Sequence, residues 1–527
     1  MHLPQRNLLL SVLGGVLLWV AWPTSPFTLF IFIAWVPLLF VAENTGSWKK
    51  FFGYTYVHML IWNVLTTWWV AKASLAGGLS AFFANSLVMC IPWLLQYFTL
   101  KNIKGFAGTL SIVFYWLTFE YIHQNWDLSW PWLTLGNAFA TYPGWVQWYE
   151  YTGTSGGSLW VLLSNILVFH VLKLYREEGR TIRYFKNAIA WIALLFIPIL
   201  FSFFIKNSLT LLHNKYNVVV VQPNIDPWDE KFEAGKEEAQ LQKLIALSQK
   251  EIDENTALVV WPETAIPIGV NESKLKENRF LVPLWGFIKN NPGINLLTGL
   301  EGYREFDSRV SRYARKIPGE NAYYEAYNSA VLLDSQHIQI YHKSKLVPGP
   351  EVLPWFVSFL GPVFEKFGGT AGGYARDTAA HNFVTTNNTF TITPAICYES
   401  IYGDYLADFN RKGSNLICVI TNDGWWGNTQ GYKQHENYAR LRAIESRKWV
   451  ARSANTGISC FIDPYGNIVQ QLGWNKKGAL KQTVAAFVTE TFFTKNGDII
   501  SKIAGVTAAV ILILAVINKC RPKSRIM

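Results

Sequence analysis

Three short segments of the 527-residue chain place reactive side chains at the end of apolar runs. WPET carries Glu263, YHKSKLVPGPE carries Lys343 and Glu351, and AICYE carries Cys397 followed by Glu399. A free thiol is only a few per cent thiolate at neutral pH, so a carboxylate that takes its proton makes it a better nucleophile. A neighbouring lysine stabilises the negative charge that attack places on a carbonyl oxygen. These residue types therefore suit acyl transfer through a thiol, with Glu263 as base, Lys343 as oxyanion-stabilising cation and Cys397 as nucleophile.

Each of these residues taken alone has a commoner structural role. A carboxylate is usually on the surface, a lysine is usually solvated and a free cysteine is usually a small core residue. Their joint occurrence at the ends of apolar runs favours a site, because functional groups of α/β sheets gather outside the carboxyl ends of the strands.

The elements that must position these residues alternate between short β-branched runs and helical stretches. This alternation predicts a layered α/β domain between 215 and 490. We predict strands at 217–225, 256–264, 294–300, 329–334, 390–399 and 415–423, and helices at 232–253 and 433–453.

The rest of the chain has the composition of a membrane protein. Half of its residues are apolar and 24 are tryptophan, yet the mean hydropathy is only +0.13, because the long uncharged runs are confined to the two ends. Spans of about 20 apolar residues are needed to cross a bilayer. We predict about eight transmembrane helices, at 7–23, 26–42, 52–71, 79–99, 105–122, 156–174, 186–206 and 499–518.

Basic residues lie in alternate loops between these segments, which predicts their orientation. Short cytoplasmic loops are enriched in lysine and arginine, so both termini are expected in the cytoplasm and the α/β domain outside. The net charge of +11 is explained largely by these loops, and no nucleic-acid partner is expected. A cleaved signal peptide is the alternative for residues 1–23, but no small-residue cleavage site follows them.

The motifs WPETAIP, YHKSKLVP and AICYE resemble, in this order, those of the nitrilase or carbon-nitrogen hydrolase superfamily. With seven helices before the domain and one after it, the whole chain resembles the apolipoprotein N-acyltransferase family. The resemblance implies a membrane α-helical bundle plus an extracytoplasmic nitrilase-like αββα sandwich. It implies transmembrane helices in 1–206, a catalytic domain in 207–498, and a last transmembrane helix and cytoplasmic tail in 499–527.

The resemblance also implies roles for individual residues. Glu263, Lys343 and Cys397 match the catalytic triad, and Glu351, Tyr398 and Glu399 match supporting residues of the active site. This chain has LVPGPE where the family usually has LVPFGE, so the backbone near Glu351 is expected to differ. The family tryptophan after the first strand corresponds to either Trp228 or Phe232, and both are candidates for contact with substrate lipid.

The implied reaction is N-acylation of the N-terminal diacylglyceryl-cysteine of a lipoprotein. A phospholipid would donate the acyl chain in a ping-pong mechanism through a thioester on cysteine, without a cofactor. The implied location is the bacterial inner membrane, with the catalytic domain on its periplasmic side, and the chain is expected to be a monomer.

Several aromatic segments are candidates for contact with lipid. The apolar segment 352–369, which contains Trp355, suits a loop that dips into lipid or closes over an acyl chain, and core packing is its alternative. NDGWWGN, with Trp425 and Trp426, is expected to border the active site by resemblance. The tryptophans between 123 and 155 fit an interfacial aromatic belt.

Two other functions remain open from the sequence. A membrane-anchored amidase would use the same triad to hydrolyse small amides, although anchoring needs one span rather than eight. A transporter would need ionisable residues inside its spans. Asn63, Asn85 and Asn165 are polar but uncharged, whereas His58 and His170 lie near segment ends and Glu120 lies close to an interface, so support for an ion pathway is weak. No histidine or cysteine spacing typical of a metal site occurs, and GGTAGG lacks the lysine of a phosphate-binding loop.

Overall fold

The computed structural model describes residues 2–208, 215–353 and 373–521. Its helices, in chain order, are α1 (Leu3–Val20), α2 (Val36–Asn44), α3 (Trp48–Thr67), α4 (Val70–Ala73), α5 (Leu75–Val88), α6 (Cys90–Asn102), α7 (Phe106–His123), α8 (Tyr149–Glu178), α9 (Ile182–Ser208), α10 (Glu237–Gln249), α11 (Val282–Asn290), α12 (Gly403–Arg411), α13 (Gln430–Ser446), α14 (Phe492–Asn496) and α15 (Ile499–Cys520).

Within the described residues, the first strand begins at Lys215. They are β1 (Lys215–Gln222), β2 (Thr256–Val260), β3 (Ile266–Asn271), β4 (Asn295–Phe306), β5 (Arg315–Lys316), β6 (Tyr323–Leu333), β7 (Ile338–His342), β8 (Phe383–Val384), β9 (Thr391–Ile396), β10 (Leu416–Thr421), β11 (Val450–Ala454), β12 (Ser459–Ile462), β13 (Ile468–Leu472) and β14 (Gly478–Ala485).

The chain divides into two compact units. The first comprises Met1–Trp68, Gly78–Ser208 and Asp498–Met527, and the second comprises Trp69–Gly77 and Leu209–Gly497.

The first unit is helical, and five helices within the described residues are long and apolar enough to cross a membrane. They are Leu3–Val20, Leu75–Asn102, Tyr149–Glu178, Ile182–Lys206 and Ile499–Cys520. The predicted segment 26–42 instead forms a 3-10 turn, Thr28–Phe32, and the nine-residue α2. The segments predicted at 52–71 and 105–122 form the helices α3 and α7. These two are not among the five, because polar and aromatic residues such as His58 and Glu120 lower their mean hydropathy.

Three buried asparagines of this unit pair with the backbone or with each other. Asn165 donates to the carbonyl of Ile31 (2.9 Å) and accepts from the amide of Trp35 (2.8 Å), so it pairs backbone groups freed where the helix breaks. Asn85 donates to Asn63 (2.8 Å). Such internal pairing is required where water is absent, so these asparagines have structural roles that need no transport function.

The second unit contains two sheets with helices on their outer faces, which is the predicted αββα sandwich. One sheet has the strand order β14-β1-β2-β4-β6-β5, with β3 paired to β4 and β7 to β6, and the other has the order β13-β12-β11-β10-β9-β8. Residues of both sheets, such as Val220 and Leu258 of the first and Ile392 and Ile420 of the second, form one buried cluster between them. Separate clusters join α10 and α11 to the first sheet and α12 and α13 to the second.

Parallel pairing brings the ends of the predicted motif strands to the same edges. β2 lies between β1 and β4, all parallel, while β9 is parallel to β10. The six predicted strands are present with shifted ends. The helix predicted at 433–453 is wrong in its last third. The helix ends at Ser446, Arg447 has a left-handed φ of 52°, and residues 450–454 form β11.

Candidate active site

Glu263 lies in a tight turn just after β2. Thr264 in this turn has a positive φ of 44°, and Gly299 of β4 lies directly beside it. A Cβ on Gly299 would be 2.5 Å from the Thr264 nitrogen and 2.7 Å from the Glu263 Cα. Glycine is therefore needed at 299 for the turn to approach the sheet. The carboxylate of Glu263 is buried, and its Oε2 accepts from the amide of Asn422 (3.1 Å).

Lys343 follows β7, and its buried ammonium group bridges two carboxylates. Its Nζ lies 3.2 Å from Glu263 Oε1 and 2.7 Å from Glu351 Oε1. Burial alone would lower the pKa of Lys343, but the charges of Glu263 and Glu351 outweigh it, so the pKa lies well above that of a free lysine. Lys343 is consequently a permanent cation.

Asn328, on β6, completes this charged group. Its Nδ2 donates to Glu263 Oε1 (2.8 Å) and to Glu351 Oε1 (3.3 Å). Glu351 Oε2 in turn accepts from the amide of Val347 (2.7 Å), which fixes the LVPGPE turn. The sequence analysis did not find Asn328; a buried asparagine within the apolar run of a strand was the available signal.

Cys397 directly follows β9 and begins a short 3-10 helix, Cys397–Ile401. It is buried and has a positive φ of 50°, a strained backbone for a residue with a Cβ. Burial raises the pKa of its thiol; the charge of Glu263 adds to this rise, whereas that of Lys343 opposes it. The thiol is therefore protonated at neutral pH and needs a base when it reacts. Glu263, Lys343 and Cys397 are thus close enough for their charges to interact.

Glu399 holds the two loops that carry Lys343 and Cys397. Its Oε1 accepts from the Tyr341 hydroxyl (2.5 Å) and the Ser344 amide (2.7 Å), and its Oε2 accepts from the Ile396 amide (2.9 Å). Glu399 therefore links the loop that carries Lys343 to the loop that carries Cys397. Burial raises the pKa of Glu399 to about 7, against hydrogen bonds that lower it.

Tyr398 follows Cys397 in the same short 3-10 helix. It is buried, and its ring packs edge-on against Tyr402 with centroids 5.3 Å apart. Burial raises its pKa well above the usual value. Its contacts are those of a residue that supports the Cys397 turn.

A buried charged network behind Cys397 was also missed by the sequence analysis. His435 Nε2 lies 3.1 Å from the carbonyl oxygen of Cys397, and its Nδ1 lies 2.9 Å from Asp423 Oδ1. Arg452 donates to the other oxygen of Asp423 (2.6 Å). This network anchors the backbone of Cys397 in its positive-φ conformation. The three residues lie on different elements, so sequence spacing carried no signal of it.

The predicted lipid-binding aromatics fall into two groups. Trp228 and Phe232, both more than half exposed, pack against Trp425 with centroid distances of 4.9 and 6.2 Å. Trp426 packs instead against Trp69 and His435. Trp355 and most of the segment 352–369 lie outside the described residues.

Lys231 connects the exposed aromatic loop to the site. It lies between Trp228 and Phe232 in the sequence, and its side chain is buried. Its Nζ donates to the backbone carbonyl of Glu263 (3.0 Å). Burial lowers its pKa to about 8, and the charges of Glu263 and Glu301 oppose this fall. Among the described residues, no group of three or more histidine, cysteine or acidic side chains is arranged to hold a metal ion.

Comparison with known proteins gives the same two-part division along the chain. The family model of carbon-nitrogen hydrolases matches residues 217–491, and that of the apolipoprotein N-acyltransferase N-terminal domain matches residues 14–167. The solved structure of Saccharomyces cerevisiae Nit3, a member of branch 10 of the nitrilase superfamily, aligns with a TM-score of 0.38 and 16% identity, over 55% of this chain and 97% of that chain.

Curated relatives match over nearly the full length. The apolipoprotein N-acyltransferase of Chlorobaculum tepidum is 31% identical over 98% of this chain and 98% of that protein. Apolipoprotein N-acyltransferase 1 of Treponema denticola is 26% identical over 99% of this chain and 98% of that protein. A relative above 30% identity that spans almost every residue of both proteins shows that this chain belongs to the apolipoprotein N-acyltransferase family.

Proposed function

We propose that this protein N-acylates the N-terminal diacylglyceryl-cysteine of lipoproteins with an acyl chain taken from a phospholipid. Membership of the family supports the reaction class. The observation that carries the mechanism is the Lys343 ammonium held between Glu263 and Glu351 beside the buried thiol of Cys397. A base, a fixed cation and a nucleophile in one buried site are the parts that thiol-mediated acyl transfer requires.

In the first half-reaction, Cys397 attacks the sn-1 ester carbonyl of the phospholipid. Glu263 takes the thiol proton, and Lys343 stabilises the negative charge that forms on the carbonyl oxygen. In a buried site one such donor contributes about 3–4 kcal/mol to the transition state. When the ester bond breaks, Glu263 returns the proton to the departing lysophospholipid, and the acyl chain remains on sulfur as a thioester.

In the second half-reaction, the α-amino group of the lipoprotein attacks this thioester. Glu263 accepts a proton from the attacking nitrogen and returns it to the sulfur of Cys397 as the amide is released. A thioester reacts more readily with an amine than the amide product does, so the transfer needs no cofactor or further energy source.

Water competes with the amine, so the acyl-enzyme must be held away from it. The exposed rings of Trp228 and Phe232, which pack on the half-buried Trp425, are suited to contact an acyl chain, and Trp426 lies next to Trp425 in sequence. We assign the same role to Trp355. Interfaces with lipid favour such amphipathic rings.

We further propose that residues 207–498 act on the periplasmic side of the inner membrane, between transmembrane helices in 1–206 and one in 499–527. The loops rich in lysine and arginine, including both ends of the chain, would then lie in the cytoplasm. A single chain contains all the proposed catalytic groups, which supports a monomeric enzyme.

The test is mass spectrometry of the purified full-length protein after incubation with phospholipid alone. We expect one acyl adduct, on Cys397, that a lipopeptide with a free diacylglyceryl-cysteine amine removes and converts to amide. Cys397→Ser should form no thioester, whereas Cys418→Ser, which changes another buried free cysteine of the same domain, should label normally. An adduct that persists in Cys397→Ser would overturn the assignment. Hydrolysis of small amides without acyl transfer to the lipopeptide would favour the amidase alternative.

A further inference from the structure

The proposed second half-reaction requires more proton acceptors than the triad provides. An α-amino group has a pKa of about 7.7–8.0, so most acceptor molecules are ammonium ions at pH 7. Nitrogen carries three protons in the ammonium ion and one in the amide product. Glu263 passes one of the two lost protons to the sulfur of Cys397, and the other needs a second base.

Two carboxylates near the site, Glu351 and Glu399, already accept hydrogen bonds on both of their oxygens. Glu351 uses one oxygen for Lys343 and Asn328 and the other for the Val347 amide, and both oxygens of Glu399 accept from backbone amides. Glu301 differs. Its Oε1 accepts from the Tyr374 hydroxyl (2.6 Å), and within the described residues its Oε2 has no hydrogen-bond donor.

Strand register places Glu301 on the face of the sheet that carries the site. On β4 it lies directly opposite Asn328 of β6, and residues directly opposite in an antiparallel pair project to the same face. Asn328 is the residue that donates to both Glu263 and Glu351.

The other flank of Glu301 is open. Its partner on β3 is Gly269, which has no side chain. Within the part of the chain that the structure describes, a Cβ built there would approach only a ring carbon of Tyr303, at 4.0 Å. Space therefore remains beside Glu301 for a ligand.

The charges that face Glu301 prepare it to exchange a proton near neutral pH. Burial raises its pKa to about 7; the Tyr374 hydrogen bond lowers it, the negative charges of Glu351 and Glu263 raise it, and the positive charge of Lys231 lowers it. A proton moves from an α-ammonium group to such a carboxylate with an equilibrium penalty of only about tenfold.

We propose that Glu301 binds the α-ammonium group of the acceptor and takes its first proton, a role that rests on the proposed acyl transfer to an amine. An N–H bond of the ammonium breaks and an O–H bond forms on Glu301. The neutral amine then attacks the thioester carbon, the C–S bond breaks, and the second proton reaches the sulfur through Glu263. Glu301 releases its proton to solvent, and no group is oxidised or reduced.

The test separates the two half-reactions in the full-length enzyme. The acyl-enzyme is formed with labelled phospholipid, the donor is removed, and discharge is followed with either a lipopeptide amine or hydroxylamine, which is mostly unprotonated at pH 7. For Glu301→Gln we expect normal acyl-enzyme formation and normal discharge by hydroxylamine. Discharge by the lipopeptide should be about tenfold slower at pH 7, because only about a tenth of the amine is neutral, and should approach the wild-type rate above about pH 9. Glu305→Gln, an exposed carboxylate on the same strand, is the matched control and should match the wild type.

The proposal would be overturned if Glu301→Gln and the wild type were discharged by the lipopeptide at the same rate at pH 7. It would also be overturned if Glu301→Gln slowed discharge by the lipopeptide and by hydroxylamine equally, because that result indicates a distorted site. Tyr374→Phe is the second variant if Glu301→Gln forms no acyl-enzyme. Loss of its hydrogen bond should move the acid limb of lipopeptide discharge to higher pH, and an unmoved limb would overturn the assignment. Failure of the wild type to form any adduct would instead refute the proposed function.

Discussion

His342, the residue before Lys343, is held between two carboxylates and offers a direct test of the electrostatics around the site. Its Nε2 lies 2.9 Å from Glu272 Oε2 and its Nδ1 lies 3.0 Å from Asp377 Oδ1. Replacing it in His342→Gln removes the cation and leaves both carboxylates in place.

The sign of the pH dependence follows from the shifted pKa values. Burial lowers the pKa of His342, but hydrogen bonds to Asp377 and Glu272 outweigh it and the pKa is raised. Its stabilisation is therefore complete below about pH 6.5, the unfolded value, and is lost as the pH rises through the folded value. Burial raises the pKa values of Glu272 and Asp377, but hydrogen bonds with His342 outweigh this and both are lowered. Their contribution is lost on the acid side, as the pH falls below about 4.

The unfolding free energy that His342→Gln should lose is near the lower end of the range for a broken buried ion pair. Removing one partner of such a pair costs about 3–5 kcal/mol. Glu272 keeps Arg304 and Ser329 as partners, and the Asp377 side chain is 28% exposed. We expect the free energy of unfolding to fall by about 3 kcal/mol at pH 6, which for a domain of this size lowers the melting temperature by roughly 5 °C.

The assay is thermal unfolding of the full-length protein in detergent between pH 5 and pH 9. The gap between the wild type and His342→Gln should be largest near pH 6 and should narrow toward pH 9. His337→Gln is the matched control, because that side chain is 63% exposed and bonds only to Asp334 at 3.3 Å. A gap that stays constant with pH would refute the ionic explanation and would indicate lost stacking on Tyr327, whose ring centroid lies 3.9 Å from that of His342.

Three further changes test how the site is positioned. Gly299→Ala should destabilise the protein by about 1–3 kcal/mol and slow formation of the acyl-enzyme, because the added Cβ would meet the backbone at Glu263. Gly286→Ala is the control, because no described atom lies near the Cβ that it adds. Mass spectrometry of acyl-enzyme formation over time should show slowing in the first variant and none in the second. Asn328→Ala should slow acylation about 10–100-fold, since it removes the hydrogen bonds to Glu263 and Glu351, and the shorter bond, to the charged Glu263, is by itself worth about 1.5–3 kcal/mol. A rate within twofold of the wild type would contradict that role. Glu399→Gln should lower the melting temperature and the acylation rate together, because an amide group must face backbone donors; unchanged acylation would show that the two loops do not need this link.

The features that sequence predicted well are those that depend on local pattern. Uncharged runs located the helices of the membrane unit, and apolar runs located the strands that lead to Glu263 and Cys397. The error in the helix predicted at 433–453 has a local cause as well. Arg447 adopts the left-handed conformation that ends helices, a position usually held by glycine, so the sequence contained no stop signal there.

The features that sequence missed depend on contacts between distant parts of the chain. Asn328 and Glu263 are 65 residues apart, and Lys231 and Glu263 are 32 apart. His435 approaches the carbonyl of Cys397 from a separate helix. Each is an ordinary polar residue in its own segment, and only the packing of the two sheets shows what it contacts.

The resting state of Cys397 connects the geometry to the order of the proposed steps. Burial and the charge of Glu263 both favour the neutral thiol, while Lys343 is already neutralised by Glu263 and Glu351. A permanently ionised thiolate would react with oxidants and other electrophiles before a lipid arrived. In the proposed mechanism the thiolate forms only when a carbonyl carbon is in place to accept it, because the negative charge then moves to the carbonyl oxygen, where Lys343 compensates it, while Glu263 holds the thiol proton. The same carboxylate must therefore be unprotonated at the start of each half-reaction, which is why an acceptor that arrives as an ammonium ion needs a separate base.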